Sequence, residues 1–144
     1  MRAPVDVSPA TGRARAPWSS SIVVAVWSPL AGLVAFLALL LAGWAGVRAA
    51  RDRPVILRQL WAAGVVEAVV LVEAVVALVQ TARGDGPPDG PLFWGYVLTE
   101  LILLPVAAAW AFAERSRWSS VVLLVAALTV AFLQLRMVQV WTGP

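Results

Sequence analysis

The sequence contains no cysteine, no histidine and no lysine. Without cysteine there are no disulfides and no thiol redox chemistry. Without either residue there is no Cys/His zinc site and no usual haem ligand. Ser–His–Asp and Cys–His nucleophiles are excluded by the same two absences. Charge is also scarce, at 13% of 144 residues. A soluble domain carries about twice that fraction. All eleven basic residues are arginine, the net charge is only +3, and no Lys/Arg-rich block or base-stacking module points to nucleic acid. No Gly-rich phosphate loop is present. The chain therefore reads as a non-enzyme with no cofactor and no metal.

What is present is apolar sequence, 61% of the chain. It comes in runs that reach or exceed the roughly 20 residues needed to cross a bilayer. The expected fold class is an all-α membrane protein, an up-down antiparallel bundle of four transmembrane helices. The spans are placed at about 21–47, 59–82, 92–113 and 118–141 within a 21–144 membrane domain. Residues 1–20 carry Pro4, Pro9 and Pro17 with three arginines, and read as a flexible polar tail. The first apolar run is longer than the ~7–15 residues of a signal-peptide core, so it reads as an uncleaved span.

Arginine placement sets the expected orientation. The links at 48–58 and 114–117 carry Arg48, Arg51, Arg53, Arg58, Arg115 and Arg117. The opposite end carries Arg2, Arg13, Arg15 and Arg83. The positive-inside rule puts the first end in the cytoplasm and both termini outside. Trp27, Trp94 and Trp141 fall near the outer boundary, and Trp44, Trp61, Trp110 and Trp118 near the inner one. They read as interfacial anchors. Gly32, Leu39, Gly43 and Gly46 share one face of the first span and suggest a close helix contact. Ser119 and Ser120 read as helix-capping residues.

The second span carries Glu67 and Glu73, which are costly inside a membrane. Six residues apart on a helix, they point about 120° apart and differ by about 9 Å in depth. Glu67 shares a face with Ala63, Gly64 and Ala74, a stripe suited to helix contact. Glu73 lies nearer the outer end, level with Glu100 of the antiparallel third span. Tyr96 is one turn from Glu100, and Thr129 and Arg136 lie on one stripe of the fourth span. A cluster of Glu73, Tyr96, Glu100, Thr129 and Arg136 is expected if spans 2, 3 and 4 face one another. Three carboxylates and one guanidinium do not balance, so at least one glutamate is expected to carry a proton, Glu67 first.

The stretch Ala113-Glu114-Arg115-Ser116-Arg117-Trp118-Ser119-Ser120-Val121-Val122 and the closing Arg136-Met137-Val138-Gln139-Val140-Trp141 resemble small, uncharacterised four-span membrane proteins of high-GC Gram-positive bacteria. The resemblance implies a bacterial inner membrane and no particular activity. Small multidrug transporters share the size, but their functional glutamate lies in the first span, which has no acid here. Two functional expectations follow. One is a non-enzymatic accessory or interaction subunit, with the lipid bilayer and a membrane-protein partner or further copies as its contacts. The other is an oligomeric proton-linked transporter or channel using the intramembrane carboxylates.

Overall fold

The computed structural model describes the backbone of residues 17–142 and the side chains of residues 28–141. Four helices follow one another: α1 Pro17–Ala50, α2 Leu57–Ala82, α3 Gly90–Ala113 and α4 Arg117–Thr142. Among the described residues there is no strand. Each helix packs on the next, and α1 closes the ring against α4. The α1–α4 seam is the most extensive and the α2–α3 seam the least. This is the expected antiparallel four-helix bundle. Helix α1 starts at Pro17, inside the stretch read as tail. Residues 1–16 of that tail lie outside the described residues. Pro29 and Pro105 sit within α1 and α3.

Local chemistry explains where the helices stop. At the end of α2, the Gly84 N–H donates to the Thr81 carbonyl at 3.1 Å and Asp85 N–H to Gln80 at 3.0 Å. This paired closure turns the chain through a left-handed residue, here Gly84 at φ 89°. The end of α1 uses the same closure. Asp52 N–H donates to Ala49 at 3.1 Å and Arg53 N–H to Arg48 at 2.9 Å. Its left-handed residue is Asp52, at φ 53°. Asp89 caps α3 by accepting from Leu92 N–H at 3.2 Å. Ser116 Oγ accepts from Trp118 N–H at 3.2 Å as α4 begins.

The α1–α2 link is bound to the start of α4. Ser120 Oγ donates to the Arg53 carbonyl at 2.7 Å, and Ser119 Oγ accepts from Val55 N–H at 3.1 Å. Arg48 Nε and Nη2 donate to the Pro54 carbonyl at 2.9 and 2.7 Å. Arg117 pairs with Asp52 at 2.7 Å on the surface. Ser119 and Ser120 were expected as caps. Both hydroxyls join separate elements, being buried against backbone groups of the link, and Ser119 Oγ also donates to the Ser116 carbonyl at 2.8 Å as α4 begins.

The buried residues of α2 and α3 repeat at alternating spacings of three and four, and a subset of those on α4 does the same. On α2 they are Gln59, Ala63, Val66, Val70, Glu73 and Ala77; on α3 Phe93, Val97, Glu100, Leu104 and Ala107. On α4, Leu123, Ala127, Val130, Gln134, Met137 and Trp141 continue the pattern. This seam suits antiparallel helices crossing at a shallow angle. The outer surface is also apolar, with Phe36, Leu71, Val75, Ile102 and Phe132 all more than half exposed or close to it. Stretches of all four helices are long and apolar enough to cross a membrane: Ser28–Ala50, Leu57–Ala82, Gly90–Ala113 and Arg117–Trp141. An apolar exterior around a closed bundle is what lipid solvates and water does not.

Two expectations about packing change. Ala38, Ala42 and Ala45 of α1 and Ala126, Ala127 and Ala131 of α4 are buried in one core cluster, and Ala31 is buried as well. Gly32, Leu39 and Gly43 are exposed, and Gly46 alone of that stripe approaches α4, near Leu124. Trp44, Trp61, Trp110 and Trp118 are exposed at the arginine-rich end, as anchors would be. Trp141 is not an anchor of that kind. It is 8% exposed and packs edge-on against Phe93, with ring centroids 5.1 Å apart. The side chain of Trp27 lies outside the described residues.

Candidate functional site

The three-four repeat carries three polar residues into one layer of the bundle. Glu73 of α2, Glu100 of α3 and Gln134 of α4 are each 1% exposed or less. They separate two apolar clusters. Above them lies the larger cluster, including Val70, Leu104 and Val130. Below lies the smaller one, formed by Ala77, Phe93, Val97, Met137 and Trp141. Each polar residue follows an apolar core residue by three or four positions and precedes another. The same helical register that buries the apolar residues therefore buries the polar ones.

Gln134 joins the two carboxylates. Its Nε2 donates to Glu73 Oε2 at 2.6 Å and to Glu100 Oε1 at 2.8 Å. A primary amide has two N–H groups, and both are used. Glu73 Oε1, Glu100 Oε2 and Gln134 Oε1 are buried with no hydrogen-bond partner. The layer is thus rich in acceptors and short of donors.

The expected cluster is realised in part. Glu73 and Glu100 do meet at one depth, but neither Arg136 nor Thr129 reaches them. Arg136 is exposed, and its Nη1 donates to Gln139 Oε1 at 2.9 Å, one turn along the same helix. The Thr129 hydroxyl donates back to the Val125 carbonyl at 2.8 Å. Both residues occupy the outer side of α4, whereas Gln134 lies on the buried side. Tyr96 is half-buried and packs against the lower apolar cluster without bonding either glutamate. Gln134 is the residue that sequence reasoning missed. Its signal was its position, four after Val130 and three before Met137 on the core stripe.

Glu67 stands apart from this layer. It lines a shallow groove of about 120 Å³ between α2 and α3, together with Leu60, Ala63, Gly64, Leu104, Pro105 and Ala108. Gly64 and Pro105 are exposed, so the groove opens on the bundle's outer surface. The Oε2 atom of Glu67 is buried there without a partner. Pro105 has no N–H and cannot satisfy the Leu101 carbonyl one turn earlier. At the arginine-rich end a larger space of about 370 Å³ lies along the same two helices, lined by Leu60, Phe112 and Arg115 among others. The two spaces share Leu60 and both follow the loosest seam of the bundle.

Among the described residues, no group of three or more His, Cys, Asp or Glu side chains is arranged to hold a metal ion. No family model, curated protein or solved structure matches the chain.

Proposed function

We propose that this four-helix membrane protein is a non-enzymatic accessory subunit whose α2–α3 groove receives a transmembrane helix of a partner protein. The observation that carries the reading is Glu67 Oε2, a buried acceptor with no donor, in a groove floored by Ala63 and Ala108. Small residues let a helix backbone approach closely. A helix presenting a hydroxyl, amide or indole N–H would supply the missing hydrogen bond. Such a bond is worth about 0.6 kcal/mol on average within a membrane, enough to set register and too little to drive assembly alone. Shape and lipid release would supply the rest.

The resemblance to small bacterial four-span proteins supports an inner-membrane location, and the arginine distribution supports an orientation with the 51–56 and 114–116 links in the cytoplasm and both termini outside. Single cysteines at Ala50 and Gly86, probed with a membrane-impermeant thiol reagent on intact cells, test that orientation. Labelling at Gly86 and not at Ala50 is the expected result.

The partner is tested with a photo-crosslinking residue placed at Gly64. The expected product is one heterologous membrane protein joined to this chain, lost when Glu67→Leu is introduced and retained in Glu67→Gln. A crosslink between two copies of this chain would replace the heterologous reading. A crosslink indifferent to Glu67 would remove the basis of the proposal.

A further inference from the structure

Hydrogen atoms, and not space, are what the buried polar layer lacks. Both N–H groups of Gln134 are committed to Glu73 and Glu100, leaving three oxygens on three residues without a donor. Exchanging the amide oxygen and nitrogen does not help. It would turn a further acceptor towards two carboxylates that, when ionised, only accept.

No fixed cation compensates. The described part of α1 from Ser28 to Val47 brings no ionisable group to the layer. From α2, the other ionisable groups are Glu67, nearly two turns away in its groove, and Arg58, exposed about four turns away. From α3, the neighbour of Glu100 is Tyr96. From α4, the one charged neighbour is Arg136, which is exposed and bonded to Gln139. Two ionised carboxylates on one amide, inside apolar packing, repel with little screening.

We propose that Glu73, Gln134 and Glu100 form a proton-binding site, in which one carboxyl group is protonated and donates its O–H to an acceptor that is otherwise unpaired. The proton comes from water, forms an O–H bond on one carboxylate oxygen and neutralises one of the two charges. A single proton thereby halves the charge of the pair and brings two of the three unpaired oxygens into one hydrogen bond. A divalent metal ion fits poorly. Calcium takes about 6–8 oxygen ligands and magnesium demands an octahedron, whereas three free oxygens are present. The site does not depend on the Glu67 groove and stands or falls apart from it.

The chain has four glutamates, Glu67, Glu73, Glu100 and Glu114. The double variant Glu67→Gln/Glu114→Gln leaves the buried pair as its sole glutamates, without disturbing the layer itself. Carboxyl-¹³C glutamate labelling then isolates the pair in the infrared spectrum of protein in lipid nanodiscs. The expected result at neutral pH is an isotope-shifted carbonyl band of a protonated carboxylic acid, with intensity for at least one of the two side chains. Gln134→Leu in the same background should shift the frequency of that band. Finding only ionised-carboxylate bands would overturn the proposal. So would loss of the acid band when sodium, lithium or potassium is added at constant pH. A folded Gln134→Leu protein with an unmoved band would remove Gln134 from the site.

Discussion

Glu73 and Gln134 belong to α2 and α4, helices that lie diagonally across the bundle and make no backbone approach, yet their side chains meet at 2.6 Å. Through Gln134, α4 is tied to both α2 and α3 in a single layer. The α2–α3 seam is the weakest in the bundle. The amide therefore links the two adjacent helices that hold each other least.

Removing that amide should be costly. Gln134→Leu leaves both carboxylates buried without their shared donor, and stranding a buried polar group costs about 1–3 kcal/mol, more if it is charged. The variant should unfold at clearly lower temperature in detergent. Replacing the whole layer should behave differently. Glu73→Leu/Glu100→Leu/Gln134→Leu removes every stranded group together, and exchange of buried ionic groups for apolar ones is often neutral or stabilising by about 1–4 kcal/mol. Thermal unfolding of both variants beside the parent chain checks the pair of outcomes. A triple variant weaker than the single would show that the layer is a net source of stability.

The fold was legible because span length and apolarity are properties of composition along the chain. The shared depth of Glu73 and Glu100 was legible from helix rise and antiparallel order. Gln134 was not found, because the polar stripe Thr129–Arg136 drew attention to the wrong side of α4. In a membrane bundle the interior and exterior are both apolar, so polarity alone does not mark the inward face. The three-four spacing of Val130, Gln134, Met137 and Trp141 marks it better. The same cause misplaced the close helix contact. Gly32 and Gly43 of α1 face outward, while alanines of α1 and α4, unremarkable in an Ala-rich chain, are the buried small residues.

Asp52 holds a left-handed conformation at φ 53°, which costs a non-glycine residue roughly 1–2 kcal/mol. Its short polar side chain eases that cost, and its surface ion pair with Arg117 adds little, about 0–1 kcal/mol. Asp52→Ala should therefore destabilise the α1–α2 link by about 1 kcal/mol. Asp52→Gly should be close to neutral, since glycine adopts the conformation freely. Arg117→Ala should change stability by less than about 1 kcal/mol, with an effect that shrinks as salt rises. Thermal melts of the three variants at two ionic strengths separate backbone strain from charge pairing.

Ser119 and Ser120 hold the same link from the other side. Ser120→Ala deletes the bond to the Arg53 carbonyl, and Ser119→Ala leaves Val55 N–H without its acceptor. Each loss is expected to cost about 1 kcal/mol. The sharper readout is local. Amide hydrogen exchange at Val55 should accelerate in Ser119→Ala and change less in Ser120→Ala. Equal acceleration in both would mean that the link is held as one unit and not bond by bond.

The α1–α4 seam gives the last test, because it separates residues that are small for packing from residues that are merely small. Ala38 and Ala127 are fully buried. A leucine at either position adds three carbons where two helices meet, and overpacking of this kind costs about 1–3 kcal/mol or more. Ala38→Leu should lower the unfolding temperature and loosen α1 from α4. Gly43 faces open space, and a Cβ added there meets nothing within 4 Å. Gly43→Ala should be tolerated, with a gain of up to about 1 kcal/mol of helix propensity. If Gly43→Ala instead disrupts the protein in cells while leaving the purified chain as stable as before, the outward glycine face is a contact for another membrane helix. Comparing thermal stability in detergent with recovery from native membranes distinguishes the two cases.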